Sequence, residues 1–274
     1  MSKYNVGVIG RGFVGGAILS HLSNSEDVRV LSYDISDDMD ADQGYQAIAL
    51  NCDIIYLCLP TPPSKDGSCF TGIVEEALAL LSHHVSDKLP IVLIKSTLVP
   101  QTITSLQDKF KNIIIASNPE FLTERTAEKD VVATTKHLIG LPDHKNNPIK
   151  VLLERFFKDV WPKSTCIFMS TTEAELVKYI TNSFFSVKVM FANTIYKLCD
   201  ELSVDYKEFI LKALEADQRL GSLHWEGPGH DGKLGFGGKC FPKDLSGMVE
   251  FLESKGVDSS LLKIAQDMNN KLRD

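Results

Sequence analysis

With 274 residues, 43% hydrophobic and 24% charged, the chain can bury a substantial core as one large domain or two smaller ones, and two are favoured. A formal net charge of −7 argues against nucleic acid or an anionic membrane as a general partner, so local basic residues must handle any anionic ligand. No apolar stretch approaches the ~18 residues of a membrane span, and the N-terminus enters a strand pattern without a charged leader, so a cytosolic protein is expected.

The first element, YNVGVI, is an apolar strand followed by Gly10, Gly12 and Gly15 at G-x-G-x-x-G spacing and then a helix-like run from Phe13 and Val14. In that context the glycines form a dinucleotide fingerprint. Gly10 permits a tight turn, Gly12 lets backbone approach a pyrophosphate, and Gly15 allows close helix packing. A second strand, Val28–Tyr33, ends in Asp34, nineteen residues after Gly15, where a carboxylate holds a ribose diol. Asp37 and Asp38 follow and no arginine does, so the site repels a 2′-phosphate and NAD is favoured over NADP.

Apolar strands near Ile54–Leu59, Ile91–Lys95 and Ile113–Ala116 alternate with amphipathic runs, which implies a doubly wound parallel sheet. Ligands bind beyond the carboxyl ends of such strands, and there lie LPTPP with Pro60 and Thr61, KSTLVP with Thr97, and SNPEF with Glu120. Two further strands, His137–Gly140 and Thr165–Met169, flank a helix over Pro148–Val160 and close a Rossmann-like domain, residues 1–168.

From Thr172 to about Leu202 no glycine or proline interrupts a helical pattern, with Thr172 as N-cap and Glu175 completing a capping box. A helix of that length spans ~45 Å, more than a small domain needs, and dimerisation is the expected use. Shorter helices, Tyr206–Ala216, Leu245–Lys255 and Ser259–Lys271, surround a glycine-rich loop and complete a mostly helical domain, residues 169–274. The fold class is therefore α/β, a Rossmann-like sheet followed by helices around a long central one. The six cysteines contain no C-x-x-C pair and the seven histidines lack metal-ligand spacing, so neither a disulfide framework nor a metal site is indicated.

Within that loop, GFGGKCFPKD places Cys240 behind a glycine turn, with Asp244 four residues on and Lys239 and Lys243 beside it. A thiol with a pKa of ~8.5 needs a nearby cation to become a nucleophile at neutral pH. Lys178 and Asn182, four residues apart in an otherwise apolar helix, share a face and can aim a cation and an amide at a developing oxyanion.

Taken in order, GRGFVG, LPTP at 59–62, KST at 95–97, NPEFLTE at 118–124, E-x-x-K-x-x-x-N at 175–182, FAN at 191–193 and the cysteine loop resemble the UDP-glucose/GDP-mannose dehydrogenase family over nearly the whole chain. The resemblance implies NAD-dependent, four-electron oxidation of a nucleotide-sugar C6 alcohol to a carboxylate through a cysteine thioester. It makes Cys240 the nucleophile, Lys178 and Asn182 the oxyanion donors, Glu120 with Glu124 in support the carboxylate for thioester hydrolysis, and Thr97 the holder of a water or hydroxyl; Asp244, four residues after Cys240, is the other candidate base by its position. It also assigns Gly10, Gly12, Phe13, Val14, Gly15, Asp34, Pro60, Thr61, Thr97 and Glu124 to the cofactor. Glu120, Phe121, Leu122, Lys178, Asn182, Arg219 and Gly237 go to the substrate, with Arg219 reaching across a homodimer. Trp225 and His230 are read as packing or rim residues. Family members continue into a second nucleotide-binding domain, so a separate chain supplying it is one expectation. A GDP-mannose or UDP-N-acetylhexosamine specificity, a two-electron hydroxyacid dehydrogenase and a non-catalytic NAD-binding protein are the competing readings.

Overall fold

The computed structural model describes residues 2–64, 67–86, 88–145 and 147–273, which divide into two compact units: Met1–Pro62 with Phe70–Lys178, and Pro63–Cys69 with Tyr179–Asp274. The first is built on a seven-stranded sheet, β1 (Tyr4–Ile9), β2 (Val28–Tyr33), β3 (Ile54–Leu57), β4 (Ile91–Ile94), β5 (Ile114–Ser117), β6 (Lys136–Leu141) and β7 (Thr165–Ser170), in the order 2-1-3-4-5-6-7. The central strands β3 and β4 are apolar and buried at every position because both faces are covered. Ile54 and Tyr56 pack with α1 (Phe13–Ser23), α5 (Ala127–Val132) and α6 (Ile149–Val160). Ile55 and Leu57 face the other way, into α2 (Ala41–Asn51), α3 (Gly72–His84) and α4 (Thr102–Lys109). Alternate residues along one strand thus serve two cores, as a period of two requires.

The sheet departs from the all-parallel expectation at one joint. β5 and β6 are antiparallel, with Ser117 opposite Gly140, while β6 and β7 are parallel again. The link between β5 and β6 carries a 3₁₀ turn (Glu124–Thr126) and the six-residue α5.

Helix α7 (Thr171–Glu201) is 31 residues long and belongs to the first unit up to Lys178 and to the second from Tyr179. Its capping box is two residues earlier than the sequence suggested. Ser170 Oγ donates to the Glu173 carboxylate (2.7 Å), Glu173 returns its backbone N–H to Ser170 Oγ (3.3 Å), and Ser170 N also donates to Glu173 (2.8 Å). Glu175, expected to close that box, instead accepts from Gln101 N and Ile103 N, both at 2.8 Å, and caps the start of α4. Tertiary packing overrode the local pattern because Glu175 is 3% exposed and faces into the unit.

The second unit adds α8 (Tyr206–Ala216), α9 (Phe241–Ser254) and α10 (Ser260–Arg273) to the rest of α7. Asp205 caps α8 by accepting from Glu208 N at 2.8 Å. α9 starts four residues ahead of the predicted Leu245, with Pro242 in its first turn, and so takes in Asp244 and leaves Cys240 as its N-cap residue. Two small cores hold the unit, one of Ala192, Cys199, Tyr206, Ile210 and Trp225, the other of Met190, Phe236, Leu245 and Ala265. Among the described residues no helix is long and apolar enough to cross a membrane.

Candidate active site

The glycine loop after β1 fits a dinucleotide. Gly10 has φ +86°, and a Cβ there would lie 2.4 Å from the Cys58 carbonyl oxygen; one on Gly15 would lie 1.8 Å from the Gly10 carbonyl oxygen. Both positions exclude a side chain, and together they bring α1 onto the end of β1. Gly12 is different. It caps α1, and nothing lies within 4 Å of where its Cβ would be, which leaves open space at a helix N-terminus suited to a pyrophosphate. Phe13 and Val14 open the helix, with Phe13 36% exposed.

Asp34 is fixed at the end of β2 by three bonds: Oδ2 accepts from Arg11 N (2.6 Å), and Oδ1 from Ser36 N (3.0 Å) and Ser36 Oγ (2.7 Å). The Arg11 and Ser36 donors hold its carboxyl below the usual carboxylate range. Arg11, whose backbone N–H donates to Asp34, pairs its guanidinium with Asp37 and so brings no unpaired cation to the end of β2. Beyond β3 and β4, Ser96 Oγ donates to Leu59 O (2.6 Å) and accepts from Leu59 N (3.2 Å), while buried Thr61 donates to the Thr97 carbonyl (3.0 Å). Pro60 lies exposed beside them.

In the loop after β5, Glu120 is 9% exposed and Lys178 5%. Lys178 Nζ donates to the Glu120 carbonyl (2.7 Å) and carboxylate (3.2 Å), and lies 5.5 Å from the centre of the Phe121 ring. The other Glu120 oxygen accepts from Leu122 N at 2.5 Å. Phe121 is half exposed, and Leu122 packs on the core below. Lys95 supports the same loop: its Nζ donates to Asn118 Oδ1 (3.2 Å), whose Nδ2 donates to Leu138 O (2.8 Å) and ties β5 to β6. Burial pushes the Lys95 amine down to about 8. Glu124 stands on the exposed 3₁₀ turn that follows.

In the second unit, Asn182 Nδ2 donates to Asp244 Oδ2 (2.5 Å) and Lys243 Nζ to Asp244 Oδ1 (2.5 Å), with Asp244 1% exposed. Lys243 therefore serves the carboxylate, although the sequence placed it as a flank of the thiol. Cys240 is partly exposed at the N-cap of α9, where its carbonyl accepts from Asp244 N at 2.8 Å. Lys178 and Asn182 lie one turn apart on α7, each holding a carboxylate of its own unit. Gly237 lies under the Arg273 guanidinium. Arg219 is 91% exposed and pairs with Asp217 (2.6 Å). Trp225 is packed, its Nε1 donating to Gly221 O and its carbonyl accepting from Tyr206, while His230 is exposed.

Residues 36–160 match the NAD binding domain of the UDP-glucose/GDP-mannose dehydrogenase family, and residues 172–271 match its central domain. The chain belongs to this family. It is 32% identical over 235 residues to UDP-glucose 6-dehydrogenase AglM of Haloferax volcanii, covering 81% of this chain and 53% of that protein. It is 30% identical over 219 residues to a UDP-glucose 6-dehydrogenase of Rickettsia bellii, covering 78% and 48%. The solved structure of a UDP-glucose dehydrogenase from Pyrobaculum islandicum superposes with a TM-score of 0.81 at 27% identity, over 98% of this chain and 68% of that one. The chain spans about half the length of the curated relatives it matches. As a family member it carries the NAD-binding domain, and the glycine loop, Asp34 and the Thr61–Thr97 contact are the residues that suit NAD.

Several residues that hold the motif loops in place carried no sign of that task in the sequence. Lys95 and Asn118 lie inside the KST and NPEFLTE motifs, where only the fold pairs them. Asn193, Asn269 and Arg273, which bond the glycine loop ahead of Cys240, gave no local signal beyond the FAN motif.

Proposed function

We propose that the chain oxidises the C6 alcohol of a nucleotide sugar, UDP-glucose foremost, to the uronate in two hydride transfers, with Cys240 carrying the carbon between them. The observation that carries the reading is the pair of buried partnerships made from one helix, Lys178 with Glu120 and Asn182 with Asp244, together with a cysteine capping the helix that holds Asp244. Gly12 at the N-terminus of α1 and Asp34 at the end of β2 would hold NAD, with Pro60, Thr61, Thr97 and Glu124 completing its contacts; bound NAD supplies the hydride acceptor for each oxidation.

The C6 hydroxyl gives its proton to the water held at Thr97, and loss of the carbinol hydride leaves an aldehyde. An aldehyde carbon is trigonal and has no hydride to give until a nucleophile adds, and the Cys240 thiolate supplies that bond. The thiohemiacetal loses the second hydride and becomes a thioester on Cys240. Water then adds, Glu120 takes one proton, the C–S bond breaks to regenerate the thiolate, and the acid so formed releases the second proton to solvent as the carboxylate. Lys178 and Asn182 donate to the oxygen wherever it carries negative charge, Thr97 positions the water, and Asp244 holds Asn182 in place. Phe121, Leu122, Gly237 and Arg219 contact the sugar nucleotide.

We also infer a homodimer. On α7, Ile180, Phe184, Phe191 and Leu198 are each about half exposed at spacings of four and seven residues, an apolar stripe that a second copy covers. Sedimentation should give twice the chain mass, and Phe191→Glu should give the monomer.

The deciding experiment is the NADH formed per UDP-glucose consumed. Two per sugar, falling below detection in Cys240→Ala with NAD affinity unchanged, supports the reading. One per sugar with aldehyde release overturns the thioester route, and turnover of GDP-mannose in place of UDP-glucose overturns the substrate.

A further inference from the structure

The segment between the 3₁₀ turn ending at Leu220 and α9 has no regular structure, yet it must deliver Cys240 in a fixed place. Loops this long hold their shape only through side-chain bonds and packing. Three side chains from two helices converge on one short stretch of it. Asn193 Oδ1, on α7, accepts from Gly235 N at 3.0 Å, and its Nδ2 is held by the Val189 carbonyl at 2.7 Å. Asn269 Oδ1, on α10, accepts from Phe236 N at 2.7 Å. Arg273, one turn further on, donates Nη2 to Gly235 O at 2.8 Å and Nη1 to Asp231 at 2.5 Å.

The two asparagines are 2% and 5% exposed, and Phe236 is itself in the core with Met190, Leu245 and Ala265. The Arg273 guanidinium lies so close to Gly237 that a Cβ there would sit 2.6 Å from Nη1. On the far side, Cys240 is fixed by the first hydrogen bond of α9. Only Gly238, with φ +77°, and Lys239 separate the two fixed points.

We propose that Asn193, Asn269 and Arg273 are positioning residues for Cys240: they fix the backbone of Gly235–Gly237 and so keep the thiol at the N-terminus of α9. The inference deepens the functional reading above and rests on it for its biological meaning. Backbone bonds to buried amide oxygens are directional and lose most of their value if either partner moves. A helix N-terminus favours a thiolate only while the sulfur stays at it. A loop released at Gly235 lets Cys240 leave that position, and the thiolate fraction falls.

The test is the rate of Cys240 alkylation by iodoacetamide, followed by peptide mass spectrometry across pH 5.5 to 9.5, in the full chain and in Asn269→Ala, Asn193→Ala and Arg273→Gln. Each variant should react about threefold to tenfold more slowly at pH 7, with its half-maximal pH moved upward, since one unit of thiol pKa is tenfold in thiolate. Arg273→Lys, which keeps one donor, should fall between. A purely structural role would lower the melting temperature and leave the rate and pH profile of the folded fraction unchanged, and that outcome overturns the proposal. Arg273→Gln, at the less buried end, decides the matter if an asparagine variant does not fold. Alkylation needs no substrate, so wild type that makes no NADH from any nucleotide sugar refutes the functional reading, while unchanged alkylation in the variants refutes only this one.

Discussion

The two units place their functional groups by different means. In the first, regular structure does the placing: the glycine turn follows β1, Asp34 ends β2, and Thr61, Thr97 and Glu120 stand on loops at the ends of β3, β4 and β5, where parallel ladders fix the spacing. In the second, the cysteine follows an irregular loop that is placed by single side chains reaching its backbone from other helices. The lesson is that a ladder spreads the cost of a lost contact over many bonds, whereas a loop held by a few bonds concentrates it.

Substitutions should expose that difference. The largest effect is expected at Lys178. Lys178→Met leaves the Glu120 carboxylate buried without its cation and removes the proposed oxyanion donor, so uronate formation should drop on the order of a thousandfold while NAD still binds. A rate within threefold of wild type would remove Lys178 from the site. Next is Gly15→Ala, whose new methyl would sit 1.8 Å from the Gly10 carbonyl. A loss of about 3 kcal/mol in urea unfolding is expected, because the Gly10 main chain and the Cys58 Cβ leave nothing flexible to give. Thiol reactivity at Cys240 should be far less affected than in Asn269→Ala, if the units are placed independently.

Asp34→Ala should weaken NAD binding by about tenfold to a hundredfold by calorimetry, the worth of charged hydrogen bonds to a ribose, at about 1.5 to 3 kcal/mol. The effect confined to a pH window concerns Glu175. Burial pushes its carboxyl up to about 7 from 4.5, outweighing the amide bonds from Ile103 and Gln101. Between those values the folded chain keeps a proton that the unfolded chain has lost, so this group's stabilisation is complete below pH 4.5 and is lost as pH rises through 7. Glu175→Gln should flatten that fall, at most about 1.4 kcal/mol per pH unit, in melts compared at pH 5 and pH 8.

Much of the first unit was legible. Apolar runs of four to six residues bounded by loops mark buried strands, and the spacing of Gly10, Gly12 and Gly15 before an aspartate-ended strand defines a dinucleotide turn. The spacing that joins Cys240 to Asp244 through the first hydrogen bond of α9 was legible because it is local, as was the shared face of Lys178 and Asn182. The antiparallel joint at Ser117–Gly140 was not, since strand direction depends on the path of a connection whose ends carry no directional mark.

Periodicity, glycine spacing and helix-face relations were thus determined by the sequence alone, because each acts within a few residues along the chain. Partner choice belonged to the tertiary structure. Glu175 caps α4 from 72 and 74 residues away, and Asn193 and Asn269 find the Gly235–Phe236 amides across 42 and 33. Such bonds form where packing has already removed water from both partners, and no local pattern records which carboxylate or amide will be buried beside which backbone group.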